Sequence, residues 1–275
     1  MKFLKFLLLT IVILILLALG LYVYARYVEP NLLIVNRVAL EDNQLANPIK
    51  IVFFGDTHLG EFSDINKLNE IVDKINTENP DLVIFTGDLI DSKSAFTVAP
   101  EAISQSLSKI HATYGKYCVI GNHEYALTNT YNYKDLMNAG GFELLLNDWL
   151  DLSDLNVRIL GLDDAFSGDP DINLGDQALD GAYNIMMTHE PDIVDKMGLD
   201  NVQLVLAGHT HGGQISLPFS TVRILPANGK KYVKGLFSLG SEGQTKLFVT
   251  KGTGMTTLPF RFMNVPEIVS IEVSP

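Results

Sequence analysis

The sequence predicts an α/β fold with two sheets packed face to face and helices outside, and three observations predict it. Short apolar runs, too short for helices, end one after another in Gly, Asp, Asn or His. Stretches with apolar residues at helical spacing separate several of them, the strand, helix, strand order of parallel pairing. The runs number about eight or more, which favours two stacked sheets over one open sheet.

The chain has 275 residues, 47% of them hydrophobic, enough to close a sizeable core. A net charge of -12 and a pI near 4.8 exclude the broad basic surface that nucleic-acid backbones select, so nucleic acid is not an expected partner. Cys118, the one cysteine, cannot form an intramolecular disulfide and reads as a small core residue.

Residues 1–5 are a short start carrying Lys2 and Lys5. The uncharged run Phe6 to Tyr24 matches the ~20 residues that cross a bilayer, and residues 6–26 are expected to form a single-pass membrane anchor. A cleaved signal peptide is the competing reading, with small residues at Ala18-Leu19-Gly20, but the apolar run continues past them. Lys2 and Lys5 before the span outnumber Arg26 after it, which places the body on the extracytoplasmic side of the cell membrane. Tyr22, Tyr24 and Tyr27 suit an interfacial aromatic belt. Residues 27–49 read as a linker with a lead-in strand, Leu32 to Leu40, and residues 50–275 as the main domain.

Within that domain Ile51 to Phe54 is a buried strand ending in Gly55-Asp56-Thr57-His58. Ile65, Leu68, Ile71, Val72 and Ile75 mark a helix stopped by Asn79-Pro80, and Leu82 to Phe85 is a strand delivering Gly87-Asp88 and Asp91. A helix over Ile103, Leu107 and Ile110 precedes the strand Tyr117 to Ile120, which ends in Gly121-Asn122-His123-Glu124. After a short helix from Tyr133 to Ala139, Val157 to Leu160 ends in Gly161-Leu162-Asp163-Asp164 and Asn184 to Met187 in Thr188-His189-Glu190-Pro191. Val202 to Leu206 leads into Gly208-His209-Thr210-His211-Gly212. The runs Leu247 to Val249 and Ile268 to Val273 read as antiparallel or edge strands.

Carboxylates and histidines just past the C-terminal ends of parallel strands lie where such sheets bind ligands. Asp56, His58, Asp88, Asn122, His189, His209 and His211 are thus candidate ligands on one rim. Their nitrogen and oxygen donors suit manganese, iron or zinc better than calcium, with manganese favoured. Seven ligands are too many for one ion. Shared through a bridging carboxylate they suit two, and metals about 3.5–4 Å apart are a known device for displacement at phosphorus.

The ordered set Gly55-Asp56-Thr57-His58, Gly87-Asp88 through Asp91, Gly121-Asn122-His123-Glu124, Thr188-His189 and Gly208-His209-Thr210-His211 resembles the calcineurin-like metallophosphoesterase superfamily. The apolar leader and the Gly208 to Gln214 run look like its membrane-anchored bacterial branch, whose members cleave UDP-2,3-diacylglucosamine in lipid A synthesis or act on generic phosphodiesters. The resemblance implies a four-layer αββα sandwich after the transmembrane helix. It also implies one metal on Asp56, His58, Asp88 and His211 and a second on Asp88, Asn122, His189 and His209. A hydroxide between the metals would be the nucleophile, His123 the acid that protonates the leaving oxygen, and Asp91 the residue that orients its ring.

Glu124 reads as a solvated or helix-start residue outside the site, and His111 as a capping or exposed histidine. The family's protein phosphatases carry a phosphate-clamping arginine where this chain has Ser92, which favours a phosphodiester or pyrophosphate over a phosphomonoester. Arg261 reads either as a replacement charge or as an ordinary surface arginine, and Met255 to Phe262 as a packed loop or a lipid contact. The expected partners are a phosphoester, with lipid-linked ones included, and the membrane; no protein partner is readable. The alternative is a catalytically silent metal-containing module that binds a phosphorylated or lipid partner, against which the His123 and Asp91 pair argues, since a binder needs no leaving-group acid.

Overall fold

In the computed structural model of the chain, residues 1–91, 98–127, 132–217, 225–240 and 243–275 are described; Ser92 lies outside them. Helix α1, Lys2–Val23, has no buried residue, and its 22 residues span about 33 Å at 1.5 Å per residue. The helix Lys2–Asn31 that contains it is long and apolar enough to cross a membrane. A π-helical turn, Tyr24–Val28, and a 3-10 turn, Glu29–Asn31, close it.

Strands β1 (Ile34–Glu41) and β2 (Ile49–Phe54) follow, and then α2 (Ile65–Thr77), whose first turn is capped by the Asp64 side chain accepting the Lys67 N–H. The chain continues through β3 (Leu82–Phe85), α3 (Pro100–Leu107, with proline in its first turn), β4 (Lys116–Cys118), α4 (Asn122–Tyr125), α5 (Tyr133–Ala139) and β5 (Glu143–Leu144). Next come β6 (Asp148–Leu152), β7 (Val157–Gly161), β8 (Tyr183–Met187), β9 (Leu204–Ala207), β10 (Gly235–Leu239), β11 (Thr245–Val249) and β12 (Glu267–Ser274).

These strands form two mixed six-stranded sheets, ordered β1-β12-β2-β3-β4-β5 and β10-β11-β9-β8-β7-β6. Side-chain alternation assigns each strand residue to a layer. Ile51 and Phe53 of β2 face Ile185 and Met187 of β8 and Leu204 and Leu206 of β9 between the sheets. Val52 and Phe54 face the other way, onto Leu68, Ile71 and Ile75 of α2 and Ile103 and Leu107 of α3. Beyond the second sheet, Met186 and Val205 pack on Leu174, Ile193 and Val194, which lie on short 3-10 turns. The expected sandwich is therefore present, with its outermost layer built of turns.

Of the expected antiparallel or edge strands near the C-terminus, the antiparallel pairing is present, β12 with β2 and β11 with β10, while the edge position is not. β12 lies inside its sheet, parallel to β1 and antiparallel to β2, and β11 lies between β10 and β9, parallel to β9. The polar Glu267 of β12 is buried and paired with Lys251 at 2.8 Å.

Candidate metal centre

Every site loop leaves the C-terminal end of a strand. Asp56 and His58 follow β2, Asp88 and Asp91 follow β3, Asn122 and His123 follow β4, His189 follows β8, and His209 and His211 follow β9. Five of these residues hold left-handed backbone angles: Asp56 (φ 52°), His58 (45°), Asp88 (58°), His209 (69°) and His211 (50°). Such a conformation costs a non-glycine residue about 1–3 kcal/mol and persists where the surroundings enforce it, as at functional sites. Parallel bridging of Leu59 with Ile90 ties the first two loops together. Gly121 is required sterically, because a Cβ there would lie 2.4 Å from Asp88 Oδ1.

The side chains converge. His58 Nε2 and His211 Nε2 are 2.9 Å apart, with Asp56 Oδ1 3.8 Å from His211 Nε2. On the other side His209 Nδ1 lies 3.1 Å from His189 Nε2. Asp88 Oδ2 stands between the two groups, 3.4 Å from His58 Nε2 and 3.2 Å from His189 Nε2. Asn122 lines the same cleft as Asp88, His209 and His211.

These residues fit divalent cations. Ligand atoms of Asp56, His58 and His211, and likewise of Asp88, His189 and His209, lie within 4.8 Å of one another. Buried Asp56 Oδ2 and Asn122 Oδ1 have no hydrogen-bond partner, a costly arrangement for polar atoms unless a ligand takes them. His189 Nδ1 lies 2.7 Å from Thr86 O and His209 Nε2 lies 2.8 Å from Ala227 O. A proton on each of those nitrogens leaves the opposite nitrogen's lone pair facing the site. Burial pushes His58 down to about 3 and His209 to about 4, so both rings are neutral, the form that ligates metals. Burial pushes the Asp56 carboxyl up to about 7.

His123 and Asp91 stand beside this cluster, outside both ligand groups. His123 Nδ1 is 3.3 Å from Asp91 Oδ1, and its ring meets His58 edge-on at 4.5 Å between centroids. Burial lowers its proton affinity, but the Asp91 hydrogen bond and the Asp88 and Glu124 carboxylates outweigh that and raise it overall.

Of the alternatives the sequence reading left for Glu124, the helix start holds, in the first turn of α4, and solvation does not. Glu124 is buried, and its carboxylate accepts the backbone N–H groups of Asp88 (2.9 Å), Leu89 (2.7 Å), Ile90 (3.2 Å) and Gly121 (3.0 Å). It staples the loop bearing Asp88 to the loop bearing Asn122. Arg261 is no surface residue: it is fully buried, donating to the carbonyls of Gly254, Asn264 and Lys251, with Nη2 3.5 Å from His211 Nδ1. His111 is exposed just beyond α3. A pair the sequence reading passed over, Asp164 and Glu190, is buried against His189. Burial pushes Glu190 up to about 8, so it holds a proton at neutral pH and can donate it to Asp164. The repeated acids of Asp163-Asp164, placed after a strand like the ligand loops, were the signal available for it.

From the ligands a cleft of about 780 Å³ runs outward past His123, with Phe166, Ile215, Leu217, Leu225 and Leu258 giving it an apolar wall.

A family model described as calcineurin-like phosphoesterase matches residues 49–213. The chain is 39% identical over 256 residues to the uncharacterized metallophosphoesterase YkuE of Bacillus subtilis, covering 90% of this chain and 88% of that one. It is 28% identical to the UDP-2,3-diacylglucosamine pyrophosphatase LpxG of Chlamydia trachomatis (90% and 91% covered). It is 27% identical to the phosphodiesterase YaeI of Escherichia coli (91% and 92% covered). With a family model matching residues 49–213 and a relative 39% identical over 90% of the chain, the chain belongs to the calcineurin-like phosphoesterase family and is a phosphoesterase.

Proposed function

We propose that the chain hydrolyses a phosphodiester or pyrophosphate at a pair of divalent cations, manganese foremost. One is held by Asp56, His58, Asp88 and His211, the other by Asp88, Asn122, His189 and His209. The observation that carries this reading is the position of Asp88, whose Oδ2 lies 3.4 Å from a ring nitrogen of one histidine group and 3.2 Å from one of the other. When bound, such a pair supplies Lewis acidity and a water activated near neutral pH.

The protein's own groups do the rest. Asp88 is fixed at both ends, its backbone N–H by Glu124 and its Oδ1 by the His123 N–H at 3.0 Å. His123, whose proton affinity the Asp91 hydrogen bond and the neighbouring carboxylates raise, gives its proton to the leaving oxygen, and Asp91 holds the ring in place for it. The apolar cleft wall suits an ester that carries an apolar group. LpxG, by its name a pyrophosphatase of UDP-2,3-diacylglucosamine, acts on a substrate of that kind. Read as a single-pass membrane anchor with the domain on the extracytoplasmic side, α1 would keep such an ester within reach.

The test uses the full-length chain in detergent, loaded with Mn²⁺. It cleaves bis-p-nitrophenyl phosphate, and Asp88→Asn abolishes the cleavage; full activity in that variant overturns the mechanism. UDP-2,3-diacylglucosamine and simple diesters compared on the same enzyme rank the substrate classes. Protease protection in sealed vesicles reports the side of the membrane.

A further inference from the structure

The end of the apolar helix does more than lead into β1. Glu29, 1% exposed, has its carboxylate on the backbone N–H groups of Met263 (2.9 Å) and Asn264. The Ala25 carbonyl accepts the Arg261 N–H at 3.0 Å. Two aromatic contacts extend the seam, Tyr22 on Phe260 and Tyr24 on Phe262, with ring centroids 5.6 and 6.3 Å apart. The helix end therefore sits on the segment that connects β11 to β12.

That segment holds the rim of the site. Its backbone has little regular pairing, and buried carbonyls need donors. Arg261 provides them: Nε to Gly254 O at 3.1 Å, Nη1 to Asn264 O at 2.9 Å and Nη2 to Lys251 O at 2.8 Å. The planar fork of a guanidinium serves several acceptors at once, which an ammonium cannot do. From here two short paths lead to ligands. The Gly254 N–H donates to the Asp56 carbonyl at 2.8 Å, and the Asn264 side-chain amide donates to the His211 carbonyl. Both paths end on the group formed by Asp56, His58 and His211. In the other group the rings of His189 and His209 lean on the carbonyls of Thr86 and Ala227 instead.

We propose that Glu29 and Arg261 are positioning residues that fasten the end of the apolar helix to one of the two metal sites, the site of Asp56 and His211, and bear on the other only indirectly, through the shared Asp88 and the His209 N–H that Asp56 Oδ1 accepts at 2.8 Å. The inference rests on the paired-cation reading above. It makes the helix end a structural part of that site in addition to any role in tethering.

The test is a calorimetric Mn²⁺ titration of the metal-free, full-length chain in detergent, with circular dichroism as the check on folding. Wild type binds two ions. Loss of an outer-shell partner weakens metal binding by ~10–100-fold. Arg261→Met is expected to weaken one ion by that factor and the other by clearly less. Glu29→Gln, which keeps one acceptor oxygen and perturbs the core less, shifts the same ion by a smaller factor, and Arg261→Lys restores part of the loss. Should Arg261→Met fail to fold, Glu29→Gln carries the test. Equal weakening of both ions, or two unchanged ions in Glu29→Gln and Arg261→Met, overturns the proposal. A wild-type chain that binds one ion overturns the paired-cation reading as well, so the two failures are distinguishable.

Discussion

The Glu124 carboxylate lies 2.9 Å from the backbone nitrogen of Asp88 and accepts its N–H. One buried side chain thus sets the position of the carboxylate shared by both ligand groups, while also binding Leu89, Ile90 and Gly121. Each buried donor left without a partner costs roughly 1–3 kcal/mol. Glu124→Ala is therefore expected to lower the thermal midpoint of the metal-free protein, with Glu124→Gln, which keeps one carbonyl acceptor, between it and wild type. Unchanged melting in Glu124→Ala would remove the staple from the account.

His123 and Asp91 make a separable prediction about chemistry. General acid catalysis contributes ~10²–10⁴-fold. His123→Asn should lower kcat within that range while Mn²⁺ still binds at two sites, and the loss should shrink on esters with a good leaving group, which need no proton. Asp91→Asn removes the hydrogen bond that raises the His123 proton affinity. Its alkaline limb in the rate profile should therefore move to lower pH. A profile that does not move assigns the proton to another group.

Asp56 links metal uptake to pH. In the metal-free protein burial raises its carboxyl from 3.8 to about 7, so the folded chain holds a proton that the unfolded chain releases near pH 4. The resulting stabilisation is complete below the unfolded value and is lost as pH rises through about 7. Cation binding must displace the same proton. Mn²⁺ affinity should rise between about pH 6 and 8, with proton release visible as a dependence of the binding enthalpy on the buffer. Uptake that is flat over that interval and releases no proton would contradict it.

The apolar side of the cleft predicts selectivity. Leu258→Asp should leave hydrolysis of bis-p-nitrophenyl phosphate within about 3-fold of wild type, because small esters need little of that wall. It should raise KM for UDP-2,3-diacylglucosamine by 10-fold or more, since a buried charge in an apolar site costs several kcal/mol. Equal effects on both substrates would take the wall out of substrate recognition.

Much of this was readable from residue order. The short unbroken apolar runs of β2, β8 and β9 and the glycines, carboxylates and histidines after each strand were enough to bring the candidate ligands to one rim. Glu124 and Arg261 were not readable, for one shared reason. A buried charge is tolerated when backbone dipoles surround it: donors around Glu124 that come mostly from the loop of residues 88–90, distant in sequence, and acceptors around Arg261 from its own loop, which turn inward only in the folded backbone. The inner place of β12 was hidden similarly, because the Lys251 that neutralises Glu267 belongs to a different stretch of chain.

The insertion of β12 between β1 and β2 also bears on how the protein is made. Synthesis reaches Glu267–Ser274 after every other strand described, and β1 has no other strand to pair with among the described residues. Until those residues leave the ribosome β1 is without the strand that joins it to β2, and the α1 end waits for its seat on residues 260–264. The strands β2 to β5 and the second sheet have their partners before then, so β1 and the α1 end are the parts of the fold that close late.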